Sequence, residues 1–312
     1  VSLRREVELE RVAAAMGELG SAPVEFQPAR DVPRGGVLLA VPALLATGLL
    51  RHTQEIYQLP RGFYGIESIF LLLALMALAR IRSIEQLRYV APGEWGKLLG
   101  LDRVPEVRTL RAKLALLCKD LGRAARWSAE LAKEWIAGQG SSELVFYVDG
   151  HVRVYHGDLT PLPRHYVARE RLCLRATTDY WINAMDGQPF LFINREVDPG
   201  LLATLRDELA PWLKANVEWN VEQQRRLDAD PWAHRFTLVF DREGYSPEFF
   251  YQMRQQRIAI LTYHKYPGEN WPEKEFAEHP VELAGGERTT MELAERGTRL
   301  SNGLWVREIR RL

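Results

Sequence analysis

Cysteine is nearly missing from this 312-residue chain: only Cys118 and Cys173 occur, far apart. Two isolated thiols exclude a disulfide framework and a cysteine-based zinc site, and they fit a reducing cytoplasm. Net charge is missing too, with 41 Lys and Arg against 41 Asp and Glu, so no overall basic field points to nucleic acid. The longest apolar run, Ile69–Ala79, is well short of a membrane span, which argues against a membrane partner. The first ten residues, VSLRREVELE, are too charged for a signal peptide. Opening on Val rather than Met, the chain reads as an alternative start or a fragment. There is no internal repeat and no low-complexity tract.

What is present is ordinary globular material, 46% hydrophobic and 26% charged, with length for about two domains. The basic charge is local. Between Arg80 and Arg126 there are eleven Lys and Arg against five Asp and Glu, enough to neutralise phosphates even in a neutral chain.

The first half reads as helical. Leu3–Leu19 forms a short amphipathic helix, Ser21–Gly36 a Pro- and Gly-rich linker, and Gly65–Arg82 an apolar core helix. Ser83-Ile84-Glu85-Gln86 has the form of a capping box, and Gly100 is placed to end a helix begun at Glu94. Pro105 opens a long helix with Val107, Leu110, Leu114, Leu117 and Leu121 inward and Arg108, Arg111 and Lys119 on the opposite face. Short helices, a tight turn and a basic final helix suggest a helix-turn-helix-like unit for DNA; an ordinary solvated helix face gives the same pattern. Ala137–Ser142, AGQGSS, marks the clearest boundary.

Beyond it the pattern turns to β. Leu144–Tyr155, LVFYVDGHVRVY, is dense in Val, Phe and Tyr up to Asp149, and Arg235–Asp241, RFTLVFD, repeats the arrangement of an apolar strand closed by aspartate 92 residues later. Asp-Gly between two strand-like runs is also among the strongest short hairpin signals, so Asp149 taken alone reads as a turn residue and only its pairing with Asp241 favours a functional role. Asp241 precedes Ser246-Pro247, the start of a helix, and carboxylates at the carboxyl ends of strands are where α/β sheets gather ligands. Arg171–Asn183 and Gln188–Val197 form an antiparallel meander. Asp198-Pro199 caps a helix with Leu202, Leu205, Leu209, Trp212 and Leu213 inward, and Glu243-Gly244 reads as turn chemistry only. Trp181, Trp212 and Trp219 read as core, and His151 as a surface histidine. The tail, Glu278–Arg288 and Met291–Arg311, is strand-like, with a hairpin at Ser301-Asn302-Gly303.

The order of elements predicts an α+β or α/β chain. A helical region, helix-turn-helix-like, precedes a ribonuclease-H-like mixed sheet with helices, in which the first and fourth principal strands lie side by side, and the start of a β-rich insertion follows. The expected division is 1–58 for the first helix and linker, 59–137 for a helical, DNA-binding region, 143–266 for the catalytic core and 267–312 for the incomplete insertion.

In YVDGH (Tyr147–His151), LRATTDYWINAMDGQPFLFIN (Leu174–Asn194) and LVFDREGYSPEFF (Leu238–Phe250), the chain resembles bacterial insertion-sequence transposases with a DDE catalytic domain. GLDRVPEVRTLRAKL (Gly100–Leu114) is similar to their preceding helical region. The resemblance implies an enzyme of DNA cleavage and strand transfer acting on double-stranded element ends and target, as a homo-oligomer. It implies two Mg2+ or Mn2+ ions held by Asp149 and Asp241 as the first two catalytic carboxylates. The third, a Glu on a later helix, is expected beyond Leu312, with Glu292 and Glu295 as fallbacks in a segment that reads as a β-hairpin. Arg242 and Lys265 flank the expected active edge and suit phosphates. The competing expectation is a catalytically inactive or truncated remnant that only binds DNA.

Overall fold

The structure is a computed structural model that describes residues 2–120, 122–138, 144–157, 160–167, 170–195, 198–218, 220–283 and 286–312. The expectations on Leu121, on residues 139–142, on Val197 and on Trp219 lie outside the described residues. Two compact units emerge, Val1–Leu131 and Ala132–Leu312.

The first unit is all helix. Its centre is the helix Ile66–Leu78, whose Ile69, Leu72 and Leu75 are fully or almost fully buried. Around it pack Trp95, Leu98 and Leu99 of the helix Pro92–Leu99 and Leu110 of the helix Val107–Leu117. Gly100 ends the former in the left-handed region at φ 64°, as the sequence predicted, because a residue with Cβ is strained there. Arg11, on the helix Ser2–Ala15, grips Asp102 through both carboxylate oxygens at 2.7 and 2.8 Å. Two local expectations are corrected. Ser83 makes no side-chain cap; Gln86 Oε1 instead accepts from the Arg82 backbone N–H at 2.8 Å, and the segment Ile84–Tyr89 is a 3-10 helix. The basic helix is also shorter than its periodicity suggested. It stops at Leu117, with Cys118 as its cap, so Lys119 lies in the following turn rather than on the face of Arg108 and Arg111.

The second unit is built on a six-stranded mixed sheet. Its strands are β1 (Val145–Val154), β2 (Arg164–Val167), β3 (Leu172–Asn183), β4 (Pro189–Arg195), β5 (Phe236–Phe240) and β6 (Ile258–Thr262). β1 runs antiparallel to β3 and parallel to β5; β3 in turn pairs with β2 and β4, and β5 with β6. The first strand and the strand ending at Asp241 are therefore neighbours, as the order of elements predicted. Phe146, Ile182, Phe236 and Leu238 fill one face at zero exposure. A helical stretch from Leu201 to Asn216, π-helical over Leu205–Leu209, presses Leu205, Leu209 and Leu213 onto that core. The helix Pro247–Gln255 adds Phe249, Phe250 and Met253, and it opens with Ser246 Oγ accepting from the Phe249 N–H, the cap the sequence predicted.

A separate three-stranded antiparallel sheet, β7 (Ala277–Glu282), β8 (Arg288–Arg299) and β9 (Trp305–Arg311), completes the unit, and Ser301-Asn302 turns β8 into β9. β2 and the helix Val221–Ala229, whose capping box joins Asn220 and Gln223, were not legible in the sequence. Both are short and carry little apolar periodicity. Among the described residues no helix is long and apolar enough to cross a membrane.

Candidate functional site: a carboxylate edge on the mixed sheet

Asp149 does not close its strand, and Asp149-Gly150 is no hairpin turn. β1 continues through both residues to Val154, with Asp149 opposite Trp181 and Gly150 opposite Tyr180 on β3. What ends at this point is the parallel ladder to β5, whose last register pair is Val148 and Phe240. Asp149 and Asp241 are the next residues on each side. Val148 and Phe240 are both buried, so the two-residue alternation directs both aspartates away from the core, from strands about 5 Å apart. Both are exposed.

Gly150 is favoured here by packing. A Cβ on it would stand 3.1 Å from the Tyr180 ring, and Tyr180 is only 2% exposed. Asp241 continues straight out of β5 and caps the turn Arg242–Gly244, its Oδ1 accepting from the Glu243 N–H at 2.9 Å. Its backbone carbonyl accepts from Thr262 Oγ1 at the end of β6.

Two further carboxylates join this edge, and the sequence singled out neither for chemistry. Burial, then the negative charges of Asp241, Asp198 and Asp149, push the Glu243 carboxyl above its ordinary range, against the opposing charge of Arg242. Glu243 sits in the capped turn, as the sequence predicted, and within the electrostatic reach of three other acids. Asp198 is held by the Tyr180 hydroxyl, which donates to its Oδ1 at 2.5 Å, and by the Gly200 N–H at 2.8 Å. Gly200, not Asp198, is the cap of the helix at Leu201. Burial and the neighbouring Asp198 charge raise the Tyr180 hydroxyl, which therefore stays a donor. No spacing signal marks Asp198, because the contact depends on how β3 and the 198–200 segment meet.

The remaining predicted residues divide. Arg242 adjoins the edge and is exposed. Lys265 follows β6 and is exposed, in a groove with Tyr245, His264, Tyr266 and Arg299, its Nζ 5.9 Å from the Tyr266 ring. His151 is exposed and opposite Asp179, a carboxylate only 1% exposed. Asn194 Nδ2 donates to Asp179 Oδ1, and Arg153 Nη2 stands 2.7 Å from Oδ2 as an ion pair, though not aligned as a hydrogen bond. Trp181 is not core: it is 36% exposed, with its ring tilted against Phe192. Glu292 and Glu295 are exposed on β8, and Glu295 is tied to Arg307. In the first unit Arg108 is exposed, while Arg111 is paired with Glu85 at 2.5 Å. Among the described residues no three His, Cys, Asp or Glu side chains are gathered as a metal-holding set. The donor chemistry of the edge is nonetheless all carboxylate oxygen, the kind that hard divalent cations take.

Asp149 and Asp241 thus stand where the parallel β1–β5 ladder ends, and the carboxyl ends of parallel strands are where α/β sheets gather ligands. The family described as "Transposase protein" matches residues 2–312, and the chain belongs to that family. No curated protein sequence matches it. Among solved structures it is similar to the Mos1 transposase paired-end complex with the left transposon end, at 11% identity and a TM-score of 0.25, covering 63% of this chain and 58% of that one. It is also similar to the piggyBac transposase synaptic complex with hairpin DNA, at 10% identity and a TM-score of 0.38, covering 90% of this chain and 61% of that one. The chain thus spans about three fifths of the length of each of these neighbours.

Proposed function

We propose that this chain carries the catalytic core of a DNA transposase, a ribonuclease-H-like sheet over 143–266, in which Asp149 and Asp241 act on the scissile phosphodiester. The observation that carries this reading is the end of the β1–β5 ladder at Val148 and Phe240, which launches two aspartates from adjoining strands onto one side of the sheet. Glu243, whose carboxyl is raised first by burial and then by the charges of Asp241, Asp198 and Asp149, lies in the same field. A carboxylate edge of this kind fits Mg2+ or Mn2+, with Asp149 and Asp241 as the holding residues and Asp198 or Glu243 within electrostatic reach. Such ions, when bound, stabilise charge on the attacking and leaving oxygens of an in-line displacement.

The protein side of the chemistry is positional. The ladder fixes the backbone beneath both aspartates, Tyr180 orients Asp198, and the capped turn holds Asp241 against rotation. Arg242 and Lys265 would hold phosphates beside the edge, and Arg108, Arg111 and Lys119 would bind duplex DNA.

The test is calorimetric titration of the chain with Mn2+. Asp149→Asn and Asp241→Asn should each weaken binding at least tenfold and abolish nicking of element-end DNA, with circular dichroism unchanged. Wild-type Mn2+ affinity in both variants would overturn the assignment.

A further inference from the structure

A groove elsewhere on the second unit has no role in the reading above. Its principal walls are two of the most exposed large side chains of the protein, Trp232 at 67% and Trp305 at 63%, together with Arg254, Arg296 and Arg307. It lies at the amino-terminal end of β5, because Trp232 precedes that strand and Arg254 lies in the last turn of Pro247–Gln255, the helix returning from the Asp241 end. Along β5 the two ends are separated by about 16 Å of strand.

The indoles are held in place. Arg257, at φ 61°, donates through its guanidinium to the backbone carbonyls of Leu227, Asp230 and Pro231, and Asp230 Oδ1 accepts from the Trp232 N–H at 2.8 Å. That fixes the segment carrying Trp232. Trp305 opens β9 with its ring over Gly297 of β8, 3.7 Å from where a Cβ would stand, an ordinary van der Waals distance. Arg254 stacks over Trp232, with its guanidinium carbon 4.9 Å from the ring centroid, and has no carboxylate partner among the described residues. Arg296 and Arg307 are paired with Glu275 and Glu295, so Arg254 is the groove arginine left without an ion pair among the described residues.

Two exposed indoles left in water forfeit burial free energy, and the Arg254 guanidinium beside them favours an anionic occupant with flat apolar faces. Unpaired nucleotides have that chemistry; a stacked duplex presents its phosphates and hides its base faces. We propose that this groove binds a single-stranded stretch of DNA, with bases stacked on Trp232 and Trp305 and phosphates met by Arg254. This contact is independent of the carboxylate edge.

The test is fluorescence titration of the full chain with a 20-nucleotide oligothymidylate. Trp232→Leu and Trp305→Leu should each weaken binding about tenfold, Trp305→Phe should retain most of it, and Arg254→Gln should weaken it and flatten its salt dependence. Asp241→Asn should leave it unchanged, which separates this site from the carboxylate edge. Arg254→Gln keeps the proposal testable if either leucine variant misfolds. Unchanged affinity in the Trp and Arg variants, equal affinity for a duplex of the same length, or occupation by a protein partner with no oligonucleotide binding would each overturn the proposal.

Discussion

Tyr180 donates its hydroxyl hydrogen bond to Asp198 over 2.5 Å, linking the middle of β3 to the segment that carries an acid onto the sheet edge. The hydroxyl belongs to a side chain that is 2% exposed, and its ring underlies Gly150 beside Asp149. Tyr180→Phe removes the donor and keeps the ring. A hydrogen bond to a charged acceptor is worth about 2 kcal/mol, so urea unfolding should show a loss of about that size with an unchanged m-value. Stability equal to wild type would mean that the Gly200 N–H alone satisfies Asp198.

Gly244 closes the turn after Asp241 against the core. A Cβ there would stand 2.5 Å from the Phe240 ring and 3.1 Å from Leu205, and both neighbours are buried. Gly244→Ala should destabilise by about 1–3 kcal/mol through overpacking. Because the same turn holds Asp241, Mn2+ affinity should fall with it. A variant as stable as wild type would show that the ring has room to move.

Glu308, on β9, offers a pH test. Burial pushes its carboxyl up, but hydrogen bonds from Thr298 and Arg310 and the charges of Arg310 and His264 outweigh burial and bring it below 4.5. Tyr245 also lies within its electrostatic reach. A depressed folded value means that the contribution is complete above the unfolded value and disappears as pH falls through the folded one. Glu308→Gln should therefore be less stable than wild type at neutral pH, with the gap closing as pH falls through the lowered folded-state value. Melting curves across that range decide it; a gap that persists in acid points to packing rather than charge.

Arg108 and Arg111 share a helix but not a state, since Arg111 is paired with Glu85 and Arg108 is exposed. If this helix meets duplex DNA, Arg108→Ala should lower the slope of log affinity against log salt by about one contact. Glu85→Gln should free Arg111 and steepen the slope. Anisotropy at several salt concentrations measures both, and unchanged slopes would leave the helix as scaffold.

Much of the second unit was legible because strand and helix signals there are strong and local. Val, Phe and Tyr density marked β1 and β5, Ser246-Pro247 marked a helix start, and Ser301-Asn302-Gly303 marked the β8–β9 turn. The Asp-Gly hairpin signal failed at Asp149 because β3 pairs straight across it, and a continuous partner overrides a local turn preference. Lys119 fell off its helix because the apolar stripe outlasted the hydrogen-bonded helix, which ends at Cys118.

By itself, the sequence determined which two aspartates follow apolar runs and that those runs belong in one sheet, since residue alternation and flanking turn chemistry act over a few neighbours. Only the tertiary structure decided that Asp198 and Glu243 share their electrostatic field, and that Trp232 and Trp305 line one groove. Contacts between segments tens of residues apart depend on strand register and helix placement. These are settled by packing the whole core and are written in no short stretch of chain.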